Sequence, residues 1–268
     1  MQNNGLFRIL FLGDIVGPPG LEALADNLLD WRAENNIDMV VANGENISGG
    51  SGISVKNTKE LLRIGIDVIT SGDHIWRHKD FADRLDEFPF IIRPANYPDG
   101  VPGRGFVVWS SMNGVSVGVI NLMGRVFMYP IECPFKAVDN ILEQIKNKAD
   151  IIIVDFHAEA TSEKKAMGYY LKGRVSAVFG THTHIPTADL SIDEGTAYMT
   201  DVGMCGPKHS ILGREPDAVL KKFHLGIPVR FPVAKFPVIV QGVLVDVNKE
   251  NGEAVKAVRW EKNVSGRK

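Results

Sequence analysis

Short apolar runs of strand length alternate with segments of helical period along most of the chain. Runs that are almost continuously apolar are typical of strands buried on both faces of a sheet. The pattern predicts such strands at residues 7–12, 39–42, 66–70, 151–154 and 175–179, and a longer β-rich segment at 236–247. With helical segments between them, these strands indicate an α/β protein.

Helices are indicated where apolar residues recur at the spacing of one helix face. One such stripe predicts a helix whose buried face ends near Leu29 or Trp31, and it comprises Leu21, Leu24, Ala25, Leu28 and Leu29. Further helices are predicted at 59–64 and 135–146. Because the sequence shows no internal repeat or linker, we expect residues 1–268 to form a single domain.

Two other segments have distinct patterns. The strand-like runs at 106–109 and 115–121 flank Asn113-Gly114, a dipeptide that favours a tight turn and predicts a β-hairpin. The C-terminal residues 259–268 carry spread charges and are expected to form a solvated tail.

Composition narrows the class of protein. Of the 268 residues, 44% are hydrophobic and 23% are charged, with 30 Lys and Arg against 32 Asp and Glu. These fractions are typical of a globular chain, and the near-neutral balance argues against an extended nucleic-acid surface. No run approaches the roughly 18 apolar residues of a membrane span, and the polar residues 1–5 do not resemble a secretory signal. With only two cysteines, the simplest prediction is a reduced, cytoplasmic protein that does not contact membranes.

Polar side chains follow five of the predicted strands, at the point where each apolar run ends. They are Asp14, Glu45 and Asn46, Asp73 and His74, His157, and His182 and His184. Ligand sites in α/β sheets lie in the loops beyond the carboxyl ends of strands, so these side chains are expected to converge. Carboxylate and amide oxygens together with imidazoles are ligands for one or two divalent first-row metals.

Taken singly, each of these residues has an ordinary structural explanation. A strand-end Asp such as Asp14 is commonly a turn or helix-cap residue, and His157 alone is more often a packing residue. Their joint occurrence at strand ends favours a metal site. Trp76, Tyr97 and Phe127 could stack on a nucleobase near such a site, although core packing is the simpler interpretation of each.

Several longer motifs carry a resemblance to a known family. They are GDIVG at 13–17, NGEN at 43–46, RPAN at 93–96, DFHAEATSEK at 155–164, GTHTH at 180–184 and TDVGM at 200–204. At these motifs the chain resembles the calcineurin-like metallophosphoesterases, in particular their bacterial YmdB-like branch. The resemblance runs from about residue 9 to residue 258. It implies a sandwich of two β-sheets flanked by helices.

The resemblance also implies a pair of divalent metal ions, with iron or manganese favoured and zinc or magnesium as alternatives. Asp14, Asn46 and His184 would hold one ion, and Asp73, His157 and His182 the other, with Glu45 bridging both. His74 would be the general acid. The family pattern has Asn where this chain has Asp73. We expect this extra carboxylate to hold metal more firmly and to attract phosphate less.

The implied activity is hydrolysis of a phosphodiester by in-line attack of a metal-bridging hydroxide. Cyclic nucleotides are the implied substrates, 2',3'-cyclic monophosphates above all, with 3',5'-cyclic AMP and other RNA-derived diesters as further candidates. The resemblance suggests a homo-oligomer. The alternatives are a phosphomonoesterase or protein phosphatase, which would use the same metal pair, and a regulatory or scaffold protein with weak phosphatase activity.

Overall fold

The structure is a computed structural model that describes residues 5–266. The strands are β1 (Leu6–Leu12), β2 (Asp14–Ile15), β3 (Met39–Asn43), β4 (Val68–Thr70), β5 (Phe106–Ser110), β6 (Ser116–Met123), β7 (Ile151–His157), β8 (Ala177–Thr181), β9 (Ser191–Asp193), β10 (Thr196–Met199), β11 (Met204–Pro207), β12 (Val238–Asn248) and β13 (Ala254–Val264). The helices are α1 (Gly17–Glu34), α2 (Val55–Arg63), α3 (Lys79–Ala82), α4 (Pro134–Ile145), α5 (Thr161–Leu171) and α6 (Pro216–Leu225), with a 3₁₀ turn at Leu85–Glu87.

The strands form two sheets. In the first, the order is β2-β11-β12-β1-β3-β4, and β13 pairs with β12. Strands β1, β3 and β4 run parallel, with Leu12 opposite Ala42 and Asn43 opposite Thr70. Because their registers are aligned, all three strands end at the same edge of this sheet.

The second sheet has the order β5-β6-β7-β8-β10-β9. Strands β5 and β6 form the predicted antiparallel hairpin. Strands β6, β7 and β8 are parallel, and Met123, His157 and Thr181 occupy equivalent positions at their carboxyl ends. The predicted strands at 151–154 and 175–179 are therefore confirmed, and β7 continues to His157.

The sheets pack face to face, with helices on both outer faces. Between the sheets, the ring centroids of Phe11 in β1 and Phe179 in β8 lie 5.2 Å apart. Helices α1 and α2 pack on the first sheet through buried residues that include Leu24 and Leu61. Helices α4 and α5 cover the second sheet, and Met167 of α5 lies in that outer core. The prediction of two sheets flanked by helices is confirmed.

The buried face of α1 matches the predicted one at Leu24, Leu28 and Trp31 but not at Leu29. Leu29 is 59% exposed, whereas Ala23 is buried. The reason is the close approach of Gly20 to β11, since a Cβ at this position would clash with the carbonyl oxygen of Cys205. Because of this contact, the helix face that carries Gly20 and Ala23 packs on the sheet, and Leu29 lies on the solvent side.

The predicted C-terminal tail is wrong over most of its length. Residues 254–264 form β13, which pairs antiparallel with β12 along its whole length. Trp260 is only 7% exposed, and its ring centroid lies 6.1 Å from that of Trp31. Residues 267 and 268 lie outside the described part of the chain. No helix within residues 5–266 is long and apolar enough to span a bilayer.

Candidate metal centre

The candidate residues meet where the carboxyl ends of the two groups of parallel strands face each other. The first sheet supplies Asp14 at the start of β2, Glu45 and Asn46 after β3, and Asp73 and His74 after β4. The second sheet supplies His157 at the end of β7, and His182 and His184 after β8. Each sheet thus contributes part of one cluster, as the strand-end pattern predicts.

Four of these side chains form a compact group. One potential ligand atom from each of Glu45, Asp73, His157 and His182 lies within 4.8 Å of the other three. His157 Nε2 is 3.2 Å from Glu45 Oε1 and 3.4 Å from Asp73 Oδ1. His182 Nδ1 lies 3.1 Å from His157 Nε2. Two carboxylates and two imidazoles at this separation are a donor set for a divalent first-row metal.

Two further observations fit a cation among these four residues. Asp73 Oδ1 is buried and has no hydrogen bond of good geometry within the described residues. A buried acceptor without a hydrogen-bond donor is rare in a protein interior unless an ion or a water molecule binds to it. At Gly72, a Cβ would clash with the imidazole of His157 and the carboxylate of Glu45. The glycine therefore leaves the space between these ligands free of side-chain atoms.

A second group adjoins the first through Glu45. Asn46 Nδ2 is 3.3 Å from Asp14 Oδ1, 3.3 Å from His184 Nε2 and 3.2 Å from Glu45 Oε1. His184 Nε2 lies 3.5 Å from Asp14 Oδ1. All seven predicted ligands therefore belong to one continuous cluster, with Glu45 in contact with both halves.

His182 and His184 each direct one ring nitrogen to the cluster and the other to an acceptor outside it. His182 Nε2 lies 3.1 Å from Glu159 Oε2, while its Nδ1 faces His157. His184 Nδ1 lies 3.3 Å from the carbonyl oxygen of Leu212, while its Nε2 faces the cluster. Metal-binding histidines are commonly fixed by such an outer acceptor, which sets the tautomer and the ring orientation.

His157 is fixed by a buried hydrogen-bond chain that the sequence reasoning missed. Its Nδ1 lies 2.9 Å from Thr181 Oγ1, and the Thr181 hydroxyl donates to Asp155 Oδ1 at 2.6 Å. Asp155 also accepts from the hydroxyl of Thr70 and from Asn43 Nδ2. The sequence feature that points to Asp155 is a carboxylate within an otherwise apolar strand. Burial raises the pKa of Asp155 to about 6, although the surrounding donors and His157 favour its charged form.

The backbone that carries the other two histidines is also held by buried charges. His182 and His184 both have positive φ, 96° and 63°. Between them, the backbone N–H and hydroxyl of Thr183 donate to Asp201 Oδ2 at 3.0 and 2.8 Å. The buried Lys164 donates to the same oxygen at 2.7 Å. Non-glycine residues in the left-handed region persist only where neighbouring contacts enforce them.

The facing histidines hold the buried carboxylates of the cluster in their charged forms. Burial disfavours the charged forms of Asp14 and Glu45, but the facing histidines outweigh it and hold both pKa values below their usual range. Burial likewise opposes protonation of His157, yet the charge of Glu45 raises the pKa of His157 well above its usual value. Carboxylates that stay ionised in the interior need positive charge beside them, and a divalent cation can supply it.

His74 lies at the border between the cluster and solvent. Its backbone N–H donates to Glu45 Oε2 at 3.1 Å, and its Nδ1 is 3.1 Å from Asn46 Oδ1. Its Nε2 is 3.7 Å from Asp73 Oδ2. The side chain is half-buried and lines an open cleft. It is therefore placed to meet a molecule that enters the cleft.

Cys205 and the aromatic candidates do not join the cluster. Cys205 is buried in the apolar core between α1 and the first sheet, with Sγ 3.6 Å from the carbonyl oxygen of Gln241. Trp76 and Tyr97 border the cleft beside His74 and are only partly buried. Phe127 is 89% exposed, so the interpretation of this residue as a core residue is wrong.

Comparison with known proteins gives matches over nearly the whole chain. The sequence profile of the family described as "YmdB-like protein" matches residues 10–259. A 2',3'-cyclic-nucleotide 2'-phosphodiesterase of Bacillus subtilis (strain 168) is 43% identical over 253 residues, covering 94% of this chain and 96% of that protein. A hypothetical protein from Thermus thermophilus has a TM-score of 0.89 at 41% identity, covering 96% of this chain and all of that one. A novel phosphatase of Mycoplasma pneumoniae has a TM-score of 0.90 at 32% identity, with coverages of 97% and 94%.

Proposed function

This chain belongs to the YmdB-like protein family, and from that premise we propose that it is a metal-dependent phosphodiesterase that hydrolyses cyclic nucleotides. We propose 2',3'-cyclic monophosphates as its main substrates and 3',5'-cyclic AMP as a further one. The observation that carries the proposal is the cluster of Glu45, Asp73, His157 and His182 within 4.8 Å, at the foot of an open cleft. The name of the Bacillus subtilis relative supports the choice of substrate.

The arrangement of ligands favours two ions. Asp73, His157 and His182 would hold one, while Asp14, Asn46 and His184 would hold the other. Glu45 would bridge them, because its Oε1 lies 3.2 Å from both His157 Nε2 and Asn46 Nδ2. Asn46 would offer the oxygen of its side-chain amide as the ligand atom, since the amide nitrogen is a hydrogen-bond donor.

When bound, two divalent cations would lower the pKa of a water molecule, which makes it a nucleophile, and would neutralise the charge on the phosphoryl oxygens. Protonation of the leaving group would fall to a side chain of the protein. The half-buried His74 borders both the cluster and the cleft, and its backbone N–H is anchored on Glu45. From this position it would donate a proton to the departing ester oxygen.

A substrate panel with manganese-loaded protein tests the proposal. We expect 2',3'-cyclic AMP to be consumed faster than 3',5'-cyclic AMP, and p-nitrophenyl phosphate, a monoester, to be the poorest substrate. Activity should disappear after chelation and return with manganese. Faster turnover of the monoester would indicate a phosphomonoesterase, and no turnover of any of the three would favour a scaffold role; either result would overturn the proposal.

Glu45→Gln provides the matched variant, because it keeps the shape of the side chain and removes its charge. It should lose both tightly bound manganese and turnover. Glu60→Gln serves as the control, since Glu60 lies on α2 and pairs with Arg63 at the surface. If Glu45→Gln retained turnover comparable to that of the control, the cluster would not be the catalytic centre.

A homo-oligomer and activity on RNA-derived diesters belong to the same proposal on the strength of the family resemblance. A cytoplasmic location belongs to it because the chain has only two cysteines and no pattern of a secretory signal.

A further inference from the structure

A cleft of about 580 Å³ opens beside the candidate metal centre. Asp73 and His74 line its inner end, and its other lining residues include Trp76, Tyr97 and Tyr129. This volume lies within the range of small-molecule sites, which combine apolar and aromatic walls with a few polar groups. A molecule whose reacting group lies at Asp73 and His74 would therefore extend along aromatic walls.

Three rings form these walls. The centroids of Trp76 and Tyr97 are 5.4 Å apart, and their planes meet at 86°, so the two rings support each other edge to face. Tyr129 is 64% exposed. Its ring is thus largely uncovered in the protein alone and is open to a planar ligand.

One buried side chain, that of Asn96, links the two segments that carry Tyr97 and Tyr129. Its amide donates to the carbonyl oxygens of Met123 and Glu132 at 2.7 and 3.0 Å, and its Oδ1 accepts from the N–H of Met123 at 2.9 Å. Asn96 precedes Tyr97, and residues 123 and 132 are the two ends of the segment that carries Tyr129. A cleft braced in this way loses less conformational freedom when a ligand binds.

We propose that this cleft is the nucleobase subsite of the enzyme, in which the base stacks on Tyr129 and against Trp76 and Tyr97. The inference rests on the proposed function, because it assumes that the phosphate of the same molecule reaches Asp73 and His74. Stacking on aromatic side chains depends little on which base is present, since every base has a π-face. The subsite should therefore favour nucleotides over base-free esters while discriminating little among the four bases.

The first test compares a substrate that has a base with one that lacks it. The readout is the ratio of kcat/KM for 2',3'-cyclic AMP to that for glycerol 1,2-cyclic phosphate. Tyr129→Ala should lower this ratio by about tenfold, the order expected for one stacking contact. Tyr129→Phe should keep the ratio, because it retains the ring. Tyr169→Ala is the control, since Tyr169 is 70% exposed on α5 and lies outside the cleft.

A binding measurement separates failure of this inference from failure of the proposed function. Adenosine has a base but no phosphate, so its binding, measured by calorimetry, does not require catalysis. We expect wild-type protein to bind adenosine, and both Tyr129→Ala and Trp76→Ala to weaken that binding by about tenfold. Circular dichroism would show that each variant is folded.

The outcomes are then distinct. If the wild type hydrolyses neither ester but binds adenosine through Tyr129, the proposed function fails and the base-binding cleft remains. If the wild type hydrolyses both esters while Tyr129→Ala changes neither the ratio nor adenosine binding, the subsite is wrong and the phosphodiesterase remains. An equal loss on both esters would also contradict the subsite, because it would indicate a general structural effect.

Discussion

Asp73 places a second carboxylate beside Glu45 in the four-residue cluster, where the family resemblance implies an amide. Its Oδ1 lies 3.4 Å from His157 Nε2 and 3.8 Å from His182 Nδ1, so it faces the same space as the other potential ligands. Replacing an amide by a carboxylate keeps an oxygen ligand and removes one unit of positive charge from the loaded site. Metal affinity and phosphate affinity should therefore change in opposite directions.

Asp73→Asn should strengthen inhibition by inorganic phosphate, lowering its inhibition constant roughly threefold to tenfold, because one nearby negative charge is removed. Manganese should bind more weakly to the same variant. The measurement is phosphate inhibition at saturating manganese, with Asp30→Asn on the exposed side of α1 as a control. An unchanged inhibition constant would contradict the electrostatic account of Asp73.

His74 tests the assignment of the general acid. His74→Ala should bind manganese but lose activity on 2',3'-cyclic AMP by about 10²- to 10⁴-fold, the usual contribution of general acid catalysis. The loss on bis-p-nitrophenyl phosphate should be much smaller, since p-nitrophenolate leaves without protonation. Nearly full activity of metal-loaded His74→Ala on 2',3'-cyclic AMP would show that another group donates the proton.

At the scale of elements, the ends of β7 and β8 act together to present the histidines. His157 and Thr181 are register partners at the carboxyl ends of these strands, and the Thr181 hydroxyl links the imidazole to Asp155. The turn after β8 is then held by Asp201 and Lys164, with Lys164 Nζ also donating to the carbonyl oxygen of Thr181 at 2.7 Å. The positions of the candidate metal ligands therefore depend on buried polar groups that lie behind these ligands and do not point into the space between them.

Thr181→Val removes the hydroxyl with little change of shape. Because the outer hydrogen bond of His157 is lost, we expect manganese affinity to fall by about 10- to 100-fold. Thr58→Val is the control, since the buried Thr58 hydroxyl donates to the carbonyl oxygen of Ser54 within α2, away from the cluster. If both variants bound manganese equally well, the chain through Asp155 would have no role in positioning His157.

Lys164→Met should lower the free energy of unfolding by about 3–5 kcal/mol, because it breaks a fully buried ion pair and leaves Asp201 without its cation. Manganese affinity should fall as well, since Asp201 holds Thr183 between the two histidines. Lys221→Met, at an exposed position of α6, should change stability by less than about 0.5 kcal/mol. Urea unfolding and manganese titration of both variants provide the comparison, and equal behaviour would contradict the positioning role.

Local patterns predicted helices α1, α2 and α4 and most of the longer strands, but not helices α5 and α6, the short strands β9, β10 and β11, or the long strand β13. The apolar runs at 7–12 and 151–154 correspond to β1 and β7 because a strand buried on both faces is apolar throughout. β13 was missed because it covers β12 with a charged outer face, and its pattern resembles that of a solvated segment. Charged side chains are common on such edge strands, where they prevent further pairing.

At the scale of the whole molecule, the sandwich brings together ligands that are up to 170 residues apart, from Asp14 to His184. Strand-end position and residue chemistry were sufficient to predict convergence, and the family resemblance supplied the division into two ion sites. The supporting residues Asp155, Lys164 and Asp201 lie in the motifs that carry the resemblance, but the sequence assigns them no role, because their roles arise from contacts between elements distant in sequence. Within residues 5–266, the core between the sheets draws on both halves of the chain; a single domain over residues 1–268 stays a prediction.

Anomalous diffraction from crystals grown with manganese tests the central claim most directly. The account predicts two manganese peaks, one among Asp73, His157 and His182, the other among Asp14, Asn46 and His184, with Glu45 contacting both. A well-ordered structure in which these side chains point apart, with no manganese between them, would contradict the account.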